Sequence, residues 1–268
     1  DVMDDAGPFR SADSPSAPSQ AKSMWKAATI VHWSRGYPFE EVTKIARQGV
    51  AEGVDPFVGR LDKSVIHASA KPLQPAVALT CRTKMVEECK AGLSYGPFPV
   101  CPFKWARICP IFGIPKHKHT DDGEIRLISH FSKGLKGLSG SMNALCYSPE
   151  LIAFHCRAAH IKDRLAQCGK GAMVYAVDVP KCFRRQRILA KLLRLFVYWI
   201  TTTEFGEEFF VDASNPFGWK VSNWVWDCIL AILMWRLLTH CSKRGIDPKN
   251  AEVNWGEGLT FDKGMSYV

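Results

Sequence analysis

Apolar residues return at helical spacing in several stretches of the chain. Val42, Ile45, Ala46 and Val50 recur three and four residues apart, and so do apolar positions from Val77 to Leu93, which predicts one helix in each segment. Leu189, Leu192, Leu193, Phe196, Trp199 and Ile200 repeat the pattern with Arg187, Lys191 and Arg194 on the other face, so an amphipathic helix is expected there. Ser222 to Leu238 is apolar nearly all round, as suits a helix buried beneath a sheet, and Trp224, Trp226 and Trp235 are read as core. Two short β-prone runs stand among these helices. One lies within Gly171 to Val179 and carries Asp178 at its end, and the other is Glu208-Phe209-Phe210-Val211.

Proline and glycine interrupt the pattern from Gly96 through Gly113, where an irregular arm of turns and extended chain is expected. Pro8 to Gln20 is rich in Ser, Pro and Ala and reads as a linker. The pattern therefore suggests a disordered Ser/Pro-rich tail over 1–22 and an unassigned helical extension over 23–85.

Composition changes this picture in two places. The 35 Lys and Arg exceed the 26 Asp and Glu, and a net charge of +9 concentrates polyanions such as nucleic acid at the surface. The 10 cysteines include no Cys-x-x-Cys pair, and the steps from Cys81 to Cys89 and from Cys101 to Cys109 fit no common zinc pattern, so they are read as mostly buried reduced thiols. The N-terminus lacks the basic and apolar blocks of a secretory signal. The longest apolar run near the C-terminus, Cys228 to Trp235, is far short of a bilayer span. A soluble intracellular protein with no membrane partner is expected.

Three segments carry candidate chemistry. In Val177-Asp178-Val179-Pro180-Lys181-Cys182-Phe183-Arg184, an Asp at a strand end is followed five residues later by an aromatic ring. Taken alone, Asp178 would serve equally well as a turn cap before the following helix. Asn215-Pro216-Phe217-Gly218-Trp219-Lys220-Val221-Ser222 places a Pro-Phe-Gly turn before a helix with Ser in its first turn, and as a lone tetrapeptide this would be an ordinary loop. Gly113 to His119 and Gly123 to Ile128 read as two strands around a basic loop. Asp121-Asp122 in that loop is a turn signature without a catalytic role, His117 and His119 are read as solvated loop residues, and His155, Cys156 and His160 lack a fourth metal partner.

In this order, together with Gly92-Leu93-Ser94-Tyr95-Gly96-Pro97-Phe98, Ser129-His130-Phe131-Ser132 and Ser141-Met142-Asn143, these motifs resemble the fingers and palm of reverse transcriptases. The arrangement is similar to that of DIRS-like, tyrosine-recombinase retrotransposons and covers about 86–268. The resemblance implies an α/β (α+β) fold with a largely antiparallel palm sheet backed by helices, a basic fingers hairpin and no thumb. It implies RNA-directed DNA synthesis, in which deoxynucleoside triphosphates are added to a primer on an RNA or DNA template by two Mg²⁺ ions. Asp178, with Val179, would hold the metals. Phe183 would pack on the sugar and exclude a 2′ hydroxyl by bulk. Arg126 would fork onto the triphosphate, with Lys116 or Lys118 adding a point charge. Gly218 would let the backbone approach template and incoming base.

The chain also departs from the family. Asn215 stands where an apolar residue is usual, and Asn223 where Pro is common. Met265-Ser266-Tyr267-Val268 resembles the start of a Tyr-x-Asp-Asp turn but ends before its carboxylates. One carboxylate cannot hold two adjacent divalent cations against their repulsion, so the chain as it stands is expected not to polymerise, and loss of the final strand partner is expected to leave an exposed sheet edge. Two alternatives stand beside the polymerase fragment. One is a non-catalytic retroelement-derived remnant that binds nucleic acid or a protein through a basic cleft, and the other is a degenerate reading frame without selected function.

Overall fold

A computed structural model of the chain describes residues 26–55, 66–67, 73–115, 125–134, 141–146, 182–243, 260–261 and 265–266. These divide into two compact units, the first drawn from 48–148 and 183–222 and the second from 27–47 and 223–266.

Two helices open the described chain, α1 (Ala27–Trp33) and α2 (Glu40–Ala51). Glu40 and Glu41 begin α2, where their charge complements the positive end of the helix dipole, and Val42, Ala46 and Val50 are buried along one face as their spacing predicts. The third helix, α3 (Pro75–Lys90), starts on a proline that gives up an N–H no helix needs at that position, and it buries Ala78, Cys81 and Met85.

Strands β1 (Ile66–His67), β2 (Ser94–Phe98), β3 (Arg107–Cys109), β6 (Val197–Thr202) and β7 (Gly206–Asp212) form one sheet in the order β1-β3-β6-β7-β2. β4 (Ile111–Pro115) and β5 (Ile125–Ser129) pair antiparallel as a separate hairpin. Among the described residues, four strand pairings are antiparallel and two parallel, and α3 packs against β2, β4 and β6. The protein is thus mixed α/β, with a mostly antiparallel sheet backed by helices.

Both faces of the central hairpin are covered. Val197, Tyr198 and Ile200 of β6 and Phe209, Phe210 and Val211 of β7 are all buried, and each large apolar side chain so enclosed contributes about 1.5–3 kcal/mol. Below them Phe131 lies 5.6 Å from Phe196, which in turn meets Trp219 edge-on at 4.7 Å.

Two expectations fail here. Leu189 to Ile200 is not a helix: a 3₁₀ segment, Ala190–Leu195, gives way to β6. The apolar spacing fits a helix, but Val197-Tyr198-Trp199-Ile200-Thr201-Thr202 is an unbroken β-branched and aromatic run, and packing against β7 in register decides for strand. Arg194, expected on a solvated face, is buried with its guanidinium 4.5 Å from the Trp105 ring. The supposed irregular arm also contains structure: Arg107–Cys109, free of proline, is a fully buried strand between β1 and β6. The Ser/Pro-rich tail, the run from Gly171 to Val179, the 116–124 loop and His155, Cys156 and His160 lie outside the described residues.

In the second unit Tyr37 meets both Phe39 and Trp235 edge-on, each at 5.8 Å, giving Trp235 the core role its sequence suggests. Trp235 belongs to α4's longer successor, α5 (Lys220–Lys243), α4 being the single turn Met142–Leu145. β8 (Thr260–Phe261) and β9 (Met265–Ser266) pair antiparallel. Cys81, Cys109, Cys146 and Cys228 are buried free thiols, and among the described residues no helix is long and apolar enough to cross a membrane.

Burial pushes the Asp227 carboxyl of α5 up to about 7. An acid whose folded-state value is raised is penalised once it ionises, so stability should fall as pH rises from the ordinary carboxylate range through about 7. Asp227→Asn should melt together with the parent protein at pH near 4 and be more stable by on the order of 2 kcal/mol at pH near 8, allowing for partial exposure. Thermal melts of both proteins across that range test it.

Candidate functional site

The chain following Asp178 and the chain preceding the Pro-Phe-Gly turn are joined along their length. Ile188 N–H donates to the Ala213 carbonyl at 2.9 Å, Asn215 N–H to the Gln186 carbonyl at 2.7 Å, and Arg187 bridges Ser214 antiparallel. Side chains repeat the connection, since Asn215 Nδ2 donates to Gln186 Oε1 at 3.2 Å with both residues buried. The Ser222 hydroxyl in the first turn of α5 donates to the Pro216 carbonyl at 2.7 Å and also touches Asn215 Oδ1. Asn215 therefore departs from an apolar residue for a reason: buried amide groups must find partners, and Gln186 and Ser222 supply them.

Arg184 joins the same two segments from the inside. It lies in a 3₁₀ turn, Phe183–Arg185, and its side chain is only 11% exposed. Nη1 donates to Asp212 Oδ1 at 2.6 Å and Oδ2 at 2.7 Å and to the Ser214 carbonyl at 3.1 Å. Nη2 and Nε donate to Glu88 Oε2 of α3 at 2.7 and 3.2 Å. Asp212 also accepts from Ser94 Oγ at 3.3 Å, from Ser214 N–H at 3.2 Å and from the Tyr198 hydroxyl at 3.0 Å, and Tyr198 in turn accepts from Ser129 Oγ at 2.8 Å.

The electrostatics follow from this enclosure. Burial opposes the Arg184 charge, and the carboxylates of Asp212 and Glu88 more than offset it, holding the guanidinium above its usual range. Burial pushes the Asp212 carboxyl up against the opposing pull of Arg184 and the hydrogen bonds it receives. Burial and the neighbouring Asp212 charge push the Tyr198 hydroxyl well up, which keeps it a donor.

On the outer side of this network two aromatic rings meet. Phe183 and Phe217, 34 positions apart in the chain, pack edge-to-face with centroids 5.1 Å apart and planes at 73°. Phe217 remains 40% exposed. Gly218, the next residue, has φ +91°, and a Cβ there would run into the Ser129 carbonyl oxygen at the end of β5. Glycine is thus demanded by the protein's own β4–β5 hairpin. Asn143 closes the turn, donating from Nδ2 to the Gly218 carbonyl at 2.9 Å and to Ser132 Oγ at 2.8 Å while Oδ1 accepts from Lys220 N–H at 2.8 Å.

Of the residues singled out in the sequence, the structure brings Phe183 to the Phe217-Gly218 turn. Arg126 is exposed on β5 opposite Ile114, and no hydrogen bond, ion pair or ring contact joins it to that turn among the described residues. Asp178, Val179, Lys116, Lys118 and Tyr267 lie outside the described residues. Among the described residues no group of three or more His, Cys, Asp or Glu could hold a metal ion. Asp212 is unsuited to that role, because both its oxygens are already occupied by Arg184, Tyr198, Ser94 and Ser214. Sequence reasoning passed over Asn143, Arg184 and Asp212. Asn143 stood within a quoted motif, and Arg184 directly follows the aromatic, but nothing in spacing alone marks Asp212.

No protein-family model and no curated protein sequence matches the chain.

Replacing Asn143 with Ala removes hydrogen bonds to the Gly218 carbonyl and Lys220 N–H that water can in part replace, and should cost about 1 kcal/mol in urea unfolding. Gly218→Ala, strained in both backbone and contact, should cost at least as much. A Gly218→Ala protein as stable as the parent would show that the turn moves freely away from β5.

Proposed function

We propose that the chain carries the nucleotide and primer-template surface of a reverse-transcriptase-type, RNA-directed DNA polymerase. The observation that carries the proposal is the meeting of Phe183 with Phe217 at 5.1 Å, since it unites in space two motifs that the sequence resemblance assigns to one nucleotide. A ring held at that place walls off a sugar by bulk. Gly218 abuts Ser129, and Arg126 stands three residues further along the same strand, about 10 Å away by strand rise, which suits a guanidinium that reaches the phosphates of a nucleotide at the turn.

In this function Asp178, with Val179, would contribute one carboxylate to holding Mg²⁺, which would supply activation of the primer hydroxyl and charge neutralisation on the triphosphate when bound. Lys116 or Lys118 adds a point charge for the triphosphate, and the net +9 draws the template-primer to the surface. The protein's own contribution is placement: the Arg184 network and the Asn143 clamp hold ring and turn in fixed relation, so a bound nucleotide meets a preformed wall.

Filter retention of an RNA–DNA primer-template over a salt series tests the surface. Affinity should fall steadily as salt rises, whereas salt-insensitive retention would remove a phosphate-reading role. Primer extension with Asp178→Asn beside the parent tests the chemistry. Incorporation by the parent alone places Asp178 in the reaction, equal signals from both proteins remove it, and salt-sensitive retention without Asp178-dependent incorporation leaves binding as the function.

A further inference from the structure

Arg184 and Asp212 lie on the two chain segments that carry the rings. Arg184 is adjacent to Phe183 within one 3₁₀ turn, and the Gln186 N–H donates back to the Phe183 carbonyl at 3.0 Å, so the turn moves as one piece. Asp212 lies at the end of β7, and the chain leaves it through Ser214, Asn215 and Pro216 to reach Phe217. Nη1 of Arg184 reaches both carboxylate oxygens of Asp212, at 2.6 and 2.7 Å, and so ties the mount of one ring to the mount of the other. Glu88 holds the remaining guanidinium edge and fixes its rotation.

We propose that Asp212 is a positioning residue that, through Arg184, sets the Phe183 ring against Phe217 and thereby the preference of the nucleotide pocket for deoxyribose over ribose. This role presupposes the nucleotide-binding function proposed above. Nη1 is held between the two charged oxygens of Asp212, and Asn in place of Asp keeps the shape of residue 212 while removing the charge and one acceptor. The Phe183 turn then gains freedom, and a ring that rocks away from Phe217 leaves room for a 2′ hydroxyl.

The test is competition binding of dGTP and GTP to the full chain with Mg²⁺ and a primer-template, read as the ratio of the two affinities. The parent should prefer dGTP, and Phe183→Val should collapse the ratio. Asp212→Asn should lower the ratio by about tenfold, the scale at which one packing contact discriminates. Glu88→Gln, which leaves the Asp212 contact intact, should lower it by less, and this variant decides the matter if Asp212→Asn fails to fold. A purely structural network would weaken both nucleotides alike and leave the ratio untouched. An unchanged ratio in Asp212→Asn and Glu88→Gln beside a changed one in Phe183→Val overturns the positioning role and spares the nucleotide site. A parent that binds neither nucleotide, or a Phe183→Val variant with the parent's ratio, overturns both.

Discussion

Withdrawing a guanidinium from water is costly unless every edge of it meets an acceptor, and Arg184 meets this condition by drawing three elements together. Glu88 comes from α3, Ser94 from β2, and Asp212 with the Ser214 carbonyl from the end of β7. None of these groups is satisfied without the others: removing one partner of such a pair leaves a charge with nowhere to go, a loss of about 3–5 kcal/mol. The apolar core explains why the first unit is compact. The ion network explains why its loops have one arrangement, because dispersion among buried apolar side chains tolerates small displacements that short charged hydrogen bonds do not.

Around this anchor, buried polar side chains act as staples between segments distant in sequence. Gln186 and Asn215 join the two motif-bearing strands, Ser222 ties the turn to α5, and Asn143 ties it to α4. Each replaces an apolar contact by a directional one. That exchange contributes little net stability, ~1 kcal/mol per hydrogen bond, but it excludes alternative registers, since a one-residue slip would leave several buried amide groups unpaired. Asn215, just before the Pro-Phe-Gly turn, is one of these staples.

Local pattern was enough to find α2, α3, α5 and β7, because in each the periodicity and the propensity of the residues agree, whereas the β4–β5 hairpin was expected from motif resemblance alone. Where they disagree, periodicity misleads. The apolar positions from Leu189 to Ile200 describe a helix, whereas the chemistry of Val197 to Thr202 describes a strand, and register with Gly206 to Asp212 settles the contest through contacts no local window contains. The ring pair was half legible: Phe183 and the Pro-Phe-Gly turn stood out separately, and only the fold joins them. Asp212 was illegible, since a strand-end acid looks the same in sequence whether it faces solvent, a metal or an arginine.

The same accounting separates groups that support the site from groups free to act on a ligand. Asp212, Tyr198, Ser129 and Asn215 spend their hydrogen-bonding capacity inside the protein and have none to offer a nucleotide. Phe217, Ile114 and Arg126 are exposed, yet each sits on backbone fixed by those internal bonds. An exposed ring on a mobile loop would lose most of its contact energy to ordering, whereas a ring on a preformed turn does not. Leaving Phe217 40% open to water, directly beside a glycine that no other residue can replace, makes sense for a surface that something flat and partly apolar comes to cover. The ring pair is therefore best understood as the exposed end of a rigid strut whose buried end is the Arg184–Asp212 contact.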